Sequence, residues 1–425
     1  MPLNAPEHNK KKSNVYLINL GCPRNIVDAE SILGRLSKKG HPITDIDKAD
    51  IAIVNSCAFI DDAKKESIDV ILDLAQLKKE GKLKKLIVAG CLSERYKDEL
   101  RKEIPEVDAF VGKMELNHTL SRFPITPKHY AYLKICESCV NNCSFCVIPR
   151  IKGKFASLEL NGVIDRVKMF DKERLPELNI IGQDISGFGL DLYGKRQLPL
   201  LLREIIAASK HIGWIRLLYL FPHSVIYEVI NIMKEEKRIC GYIDLPIQHI
   251  NDRILKLMRR STLKKDIVTL IEKIRKELPE AAIRTAVITG FPSETDKEFK
   301  ELLDFIKEMR FERLGAFSYS REEGTDAYSF KGQVPEKIKQ ERFHEVMSLQ
   351  QEVSVEVNKA FLGKTMDVLV EEKGDSFYLA RSQYDAPEVD GLVYVKSPKD
   401  LKPGTFVKVK IIDTLEYDLV GEVVA

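Results

Sequence analysis

From residue 14 to 112, short apolar runs alternate with stretches in which apolar positions recur every three or four residues. NVYLINL (14–20), DIAIVNS (50–56), KLIVAG (85–90) and VDAFVG (107–112) read as strands, with helices expected over about 25–39, 61–79 and 93–103. Short apolar strands alternating with amphipathic helices predict a parallel sheet. FPITPKH (123–129) carries two prolines and no periodicity, and reads as a linker. A second alternating series follows, with strands expected near 131–135, 178–181, 214–220, 240–245, 283–288 and 314–319. Six strand–helix units predict an incomplete barrel, not the full eight. A polar helical stretch spans about 345–360, and after Gly363 the pattern becomes MDVLVEE, SFYLARS, LVYVKS, FVKVKIID and DLVGEVV. Short strands separated by turn residues fit a small antiparallel β-barrel of the oligonucleotide-binding type. The expected fold class is therefore α/β: a parallel α/β domain at 14–122, a partial (β/α)6 barrel at 129–358 and a small β-barrel at 360–425, after a disordered polar leader at 1–13.

Composition narrows the class. The chain has 425 residues, 44% hydrophobic and 31% charged, as in an ordinary soluble protein. It has no apolar run of about 18 residues, so no membrane partner is expected. The start, MPLNAPEHNKKKS, lacks the apolar core of a secretory signal, so a cytoplasmic location is expected. A net charge of +3 does not by itself argue for nucleic acid. In such a compartment the eight cysteines point to metal or redox chemistry, not disulfides.

The strongest chemical signal is Cys139-x3-Cys143-x2-Cys146, in KICESCVNNCSFCVIPR, just after the first strand of the second series. Three thiolates on one loop can hold three irons of a [4Fe–4S] cluster and leave the fourth iron open for a small molecule. Zinc, or a closed four-cysteine cluster, is the alternative on spacing alone, with Cys136 as fourth ligand. Cys22, Cys57 and Cys91 each follow a predicted strand, in INLGC, IVNSC and VAGC. Strand ends of a parallel sheet share one edge, where such sheets bind ligands. The three cysteines are expected to converge there as ligands, with a second [4Fe–4S] cluster as occupant. Cys240 and Cys136 read as buried filler.

The loop Cys-x3-Cys-x-Phe-Cys, with Phe145 as its aromatic, resembles the radical S-adenosylmethionine superfamily. LGCPRN (20–25), NSCAFIDDAKKES (55–67) and AGCLSERY (89–96) extend the resemblance to its methylthiotransferase family. The terminal segment resembles a TRAM domain. ARSQYDAPEVDG (380–391) and LGCPRN resemble the RimO-like branch, which modifies an aspartate of small-subunit ribosomal protein twelve. A neighbouring branch modifies adenosine in transfer RNA.

The resemblance implies two [4Fe–4S] clusters and S-adenosylmethionine as cofactors. It makes Cys139, Cys143 and Cys146 catalytic, because the open iron they leave binds the cofactor, and one electron then yields a deoxyadenosyl radical. Phe145, Gln183 and Asp184 of IIGQDIS, Asp244 and Gln248 of YIDLPIQH, and Ile288 of ITGFPSET are carried over as cofactor-binding. RLLYLFP (216–222), His249 and FSYSREEGT (317–325) match other barrel-strand ends; Ser293 replaces a common glycine, and Cys136 stands where serine or alanine is more usual. The implied reaction inserts sulfur into the β-C–H bond of aspartate and caps it with methyl from a second S-adenosylmethionine. It needs a flavodoxin- or ferredoxin-like electron donor and a sulfur donor. The terminal 65 residues hold 8 basic and 12 acidic residues, a balance of −4 that is expected to attract a basic ribosomal protein and repel RNA. Asp385, Glu388 and Asp390, in a turn-like stretch, are expected to be exposed for that purpose. A transfer-RNA methylthiotransferase, and a non-catalytic iron–sulfur or zinc module, are the competing readings.

Overall fold

The computed structural model describes residues 12–114, 116 and 121–424, so most of the expected leader, residues 1–11, lies outside the described residues. The chain divides after Ile125 into two compact units.

In the first unit, β1 (Val15–Asn19), β2 (Ile51–Ser56), β3 (Lys85–Gly90) and β4 (Ala109–Val111) form a parallel sheet in that order. The crossovers are α1 (Pro23–Lys38), α2 (Asp61–Lys79) and α3 (Cys91–Glu103). Ala52, Val54, Leu86 and Val88 are fully buried between the helices, as expected of strands covered on both faces. In α2, Ile71, Leu74 and Ala75 supply the buried stripe, while Asp61 and Asp62 in the first turn and Lys78 and Lys79 in the last suit the helix dipole. Glu30 on α1 binds Arg122 Nε at 2.6 Å and the amide of Ile125 at 3.0 Å, which fixes the end of this unit.

The second unit opens with β5 (Tyr130–Lys134), followed by a small hairpin of β6 (Cys136–Glu137) and β7 (Ala156–Ser157), with α4 (Ile148–Lys152) between them. Then come α5 (Leu160–Lys172), β8 (Glu177–Ile181), α6 (Leu190–Tyr193), α7 (Leu198–Ala208), β9 (Trp214–Leu217), α8 (Ile226–Glu235) and β10 (Tyr242–Asp244). The series closes with α9 (Asp252–Leu257), α10 (Lys264–Glu277), β11 (Ala282–Thr289), α11 (Asp296–Met309), β12 (Arg313–Ser318) and the long α12 (Glu336–Asn358). Two three-stranded parallel sheets, β5-β8-β9 and β10-β11-β12, make the six-stranded partial barrel that the periodicity predicts.

The terminal strands β13 (Thr365–Lys373), β14 (Tyr378–Ser382), β15 (Val393–Lys396), β16 (Phe406–Thr414) and β17 (Leu419–Val423) close a barrel in the order β13-β14-β15-β17-β16. Val368, Val370, Ala380, Val393, Val395, Val409 and Ile411 fill it. One departure from the expected antiparallel barrel is the β15–β17 pair, which is parallel. The strands on either side of the closure point are joined through β16, so β17 returns alongside β15 in the same direction.

The segment 381–390 is exposed at Glu388 and Val389, but Asp385 and the Asp390 side chain are buried, unlike the exposed loop its turn-like sequence predicts. It fills the floor of the larger barrel, where it bonds to all six strands close to their starting ends. Tyr130 on β5 donates to Glu388 at 2.6 Å, and Tyr242 on β10 donates to Asp390 at 2.6 Å. Arg381 is paired with Glu177 on β8, and Arg216 on β9 donates to the Gln383 carbonyl at 2.8 Å. Arg284 on β11 reaches Asp390 at 3.4 Å, and Arg313 on β12 binds Asp385 at 2.7 Å. The acidic residues are thus used internally, because buried guanidinium and phenol groups at the strand starts need partners. Glu371 also pairs with Arg381, at 2.8 Å. Setting aside the buried Asp385 and Asp390 and the Glu371–Arg381 pair leaves nine acidic against seven basic residues on the terminal barrel. Its outer face is close to neutral, and the electrostatic case for a basic partner falls.

Candidate functional site

The loop bearing Cys139, Cys143 and Cys146 lies beyond the end of β5, where barrel sites are built. Its shape is set by hydrogen bonds at several points. Ser138 adopts φ 65° and its hydroxyl donates to the Gly153 carbonyl at 2.6 Å. Ser144 N and Oγ donate to Met258 and Leu257 carbonyls at 3.0 and 2.7 Å, and the Ser144 carbonyl accepts from Ala327 N at 2.8 Å. The three thiols are half-buried.

Cys139 is surrounded by polar groups. The Asn141 amide N and side-chain Nδ2 lie 3.4 and 3.3 Å from its sulfur. Asn141 Nδ2 also donates to Asp184 Oδ2 at 2.8 Å. Burial, with the Asp184 charge adding to it, pushes the Cys139 thiol up to about 11, against the pull of the Asn141 donors. Arg260 Nη1 stands 3.9 Å from the Cys143 sulfur, and its guanidinium lies 4.0 Å over the Phe221 ring. Its Nε is buried without a hydrogen-bond partner, as is Gln183 Oε1.

The residues fit the implied cofactors. Among the described residues no three His, Cys, Asp or Glu side chains gather tightly enough to enclose one metal ion. A four-iron cluster is wider than one ion, so its cysteine sulfurs stand further apart than those around zinc. Two orphaned polar atoms beside the cysteine loop are the kind of groups a polar ligand such as the amino-acid end of S-adenosylmethionine satisfies.

The other sequence-predicted residues separate into two groups. Phe145 and Ile288 come together: both pack against the buried cluster of Ile254, Met258, Phe291, Tyr319 and Ala327. Gln248 takes φ 72° and its carbonyl accepts from Ile288 N at 2.8 Å, so its backbone fixes Ile288. Gln183 donates to Glu137 at 2.9 Å. Burial raises the Glu137 carboxyl, but Lys134 and Lys152 outweigh it and hold it at about 2.

Asp184 and Asp244 both have hydrogen-bond partners within the chain. Asp184 Oδ1 accepts from Ser186 N and Oγ at 2.9 and 2.5 Å and Phe221 N at 3.3 Å, and its Oδ2 accepts from Asn141. Asp244 binds Arg284 at 3.2 Å and Tyr219 N at 2.9 Å. Sequence reasoning missed Asn141 and Arg260. Asn141 was visible as an amide two residues after a ligand cysteine; Arg260, in MRRST, carried no signal.

Cys136 is fully buried, and its thiol donates to the Asp184 carbonyl at 3.6 Å. Burial pushes it well above the usual thiol range. Cys136→Ser is expected to keep its full iron complement and to cleave S-adenosylmethionine at the wild-type rate. Loss of cluster absorbance in that variant would make Cys136 a ligand.

In the first unit Cys22 is the N-cap of α1, Cys57 follows β2 and Cys91 opens α3. The register pairs Asn19 with Asn55 and Ser56 with Gly90, so all three cysteines sit on one sheet edge. Gly21 and Gly90, at φ 92° and 94°, make the turns into Cys22 and Cys91. Side chains there would collide, at 2.8 Å with Cys57 Cβ and 2.6 Å with the Ser56 carbonyl. Burial raises the Cys22 thiol, but the Arg24 charge and the Asn25 and Arg24 amides together hold it below the usual value. Burial raises Cys57, with Cys22 adding to the effect. The polar frame is dense: Asn55 donates to Asn19 Oδ1 at 2.7 Å, and Ser67 bonds both the amide and the carbonyl of Cys57, at 3.0 and 2.9 Å.

Comparison with known proteins follows this division. Residues 133–306 match the radical SAM superfamily, 362–424 the TRAM domain, and 14–112 a family described as uncharacterized protein family UPF0004. The chain is 45% identical to ribosomal protein uS12 methylthiotransferase RimO of Clostridioides difficile strain 630, over 96% of this chain and 98% of that one. It is 45% identical to the protein of the same name from Thermoanaerobacter sp. strain X514, over 96% and 99%, and 43% to that of Chlorobium phaeobacteroides strain BS1, over 100% and 99%. Among solved structures, the radical S-adenosylmethionine methyltransferase TsrM from Kitasatospora setae superposes with a TM-score of 0.53 at 12% identity, over 87% of this chain and 80% of that one, a likeness of fold alone.

Proposed function

The chain belongs to the family of ribosomal protein uS12 methylthiotransferases of the RimO type, and from this we propose that it attaches a methylthio group to the β-carbon of an aspartate in that ribosomal protein. The observation that carries the reading is the cysteine loop, set at the mouth of the barrel in a chain similar to that family along its whole length.

A radical SAM enzyme holds a [4Fe–4S] cluster and S-adenosylmethionine, which together supply a radical able to take hydrogen from unactivated carbon. Cys139, Cys143 and Cys146 would hold the cluster. Phe145 and Ile288, packed on one apolar cluster, would form a wall of the cofactor site. Gln183 and Arg260 would meet its polar end. Cys22, Cys57 and Cys91 would hold a second [4Fe–4S] cluster from which sulfur is delivered. A one-electron donor of the flavodoxin or ferredoxin kind and a sulfur donor complete the reaction. No helix among the described residues is long and apolar enough to cross a membrane, and we place the enzyme in the cytoplasm beside its ribosomal substrate. The preference for a protein over transfer RNA rests on likeness to the uS12 enzymes, since the outer face of the terminal barrel is near neutral.

Mass spectrometry of ribosomal proteins from cells with and without the gene tests this. Protein uS12 is expected to lose a mass increment of one sulfur plus one methyl from an aspartate when the gene is deleted. An unchanged uS12, with loss of a methylthioadenosine from transfer RNA, would overturn the assignment.

A further inference from the structure

Asn141 sits between two cluster cysteines with both amide hydrogens committed. Asp184 is an acceptor whose Oδ1 takes Ser186 N, Ser186 Oγ and Phe221 N, which leaves Oδ2 facing Asn141. Facing a carboxylate at 2.8 Å, Asn141 must present its NH2 group and not its carbonyl. With one hydrogen on Asp184, the other points to the Cys139 sulfur at 3.3 Å, and the backbone amide adds a second donor at 3.4 Å. Asp184 therefore sets the orientation of Asn141, and Asn141 sets the hydrogen bonding of Cys139.

We propose that Asn141, held by Asp184, is a positioning residue that raises the reduction potential of the radical-generating cluster through its hydrogen bond to Cys139. Reduction adds an electron that spreads over the irons and their thiolates. A donor on sulfur stabilises that extra negative charge more than it stabilises the oxidised cluster, and such bonds are one of the levers by which proteins set cluster potentials. The inference rests on the cluster assigned to this loop, and its consequence is a cluster that a one-electron donor reduces more readily.

The test uses full-length protein with Cys22, Cys57 and Cys91 changed to Ala, so that one cluster reports. Iron is counted first, then the midpoint potential is read by redox titration with EPR of the reduced cluster. Asn141→Ala keeps the backbone donor and loses the side-chain one. At a fixed poise its ratio of reduced to oxidised cluster should fall about tenfold, equivalent to about 59 mV for one electron. Asn141→Ser, which returns a hydroxyl donor without the hold of Asp184, should recover part of that loss. Four irons with an unshifted or raised potential in Asn141→Ala would overturn the proposal. So would loss of iron in both variants, which would make Asn141 a folding residue. Fewer than four irons in the parent would count against the cluster assignment itself.

Discussion

Changing Cys22, Cys57 and Cys91 together to Ala is expected to remove about half the iron from anaerobically reconstituted protein, leaving about four of eight atoms per chain. Methylthiolation of uS12 should fall below detection, while deoxyadenosine should still form. The split follows from placement: the two triplets lie in separate units of the chain, each on its own strand ends. The measurement is iron per chain together with both products. Unchanged iron would remove the second cluster; loss of deoxyadenosine along with the methylthio product would show that the first unit also serves radical formation.

The second large effect concerns stability. Glu177 lies fully buried between Arg216, at 2.8 Å, and Arg381. Burial raises its carboxyl, but the two guanidiniums outweigh that and hold it below the ordinary range. Glu177→Leu takes the carboxylate from two buried cations, leaving Arg216 on a backbone carbonyl and Arg381 on Glu371, and should cost about 3–5 kcal/mol, a large share of a typical domain's stability. Replacing all three, with Leu at 177 and Met at 216 and 381, should recover part of that loss, short of the full amount because Glu371 then loses Arg381. Denaturant midpoints of the three proteins decide it; equal midpoints for the single and triple variants would show that the charges are not coupled. The wild-type midpoint should also fall with acid. His249, buried and held at about 4, loses stability as pH drops from 6.5 toward 4, because the unfolded chain binds the proton first. Glu177, and Glu137 at about 2, stabilise fully above about 4.5 and lose their contribution at lower pH.

The periodicity carried the architecture well, and for a physical reason. Strands covered on both faces must be apolar throughout, so KLIVAG and DIAIVNS announce themselves, and the helices between them show a stripe of period 3.6. The placement of Cys22, Cys57 and Cys91 on one sheet edge was legible because a parallel sheet brings strand ends together whatever their separation in sequence. The floor of the barrel was not legible. Asp385, Glu388 and Asp390 look like a solvated acidic turn, and their partners Arg313, Tyr130 and Arg284 lie 72, 258 and 106 residues away. A pairing that is neither periodic nor local leaves no trace in a single chain. The same holds for Asp184 and Asp244, whose position at strand ends was plain but whose partners decide whether they face a ligand or the protein.

The plugged floor has a bearing on how this protein can be inherited and dissected. Because Glu177, Arg216, Tyr242, Arg284 and Arg313 have their partners in residues 381–390, the last 65 residues are not a detachable accessory. A frameshift after residue 358 would leave these charges and phenols around an open hole. It would be felt as misfolding before any loss of substrate recognition. Nor could the terminal barrel be exchanged for that of a distant relative unless the strand starts were exchanged with it. An exchange would have to carry Asp390 with Arg284 and Asp385 with Arg313, each pair together.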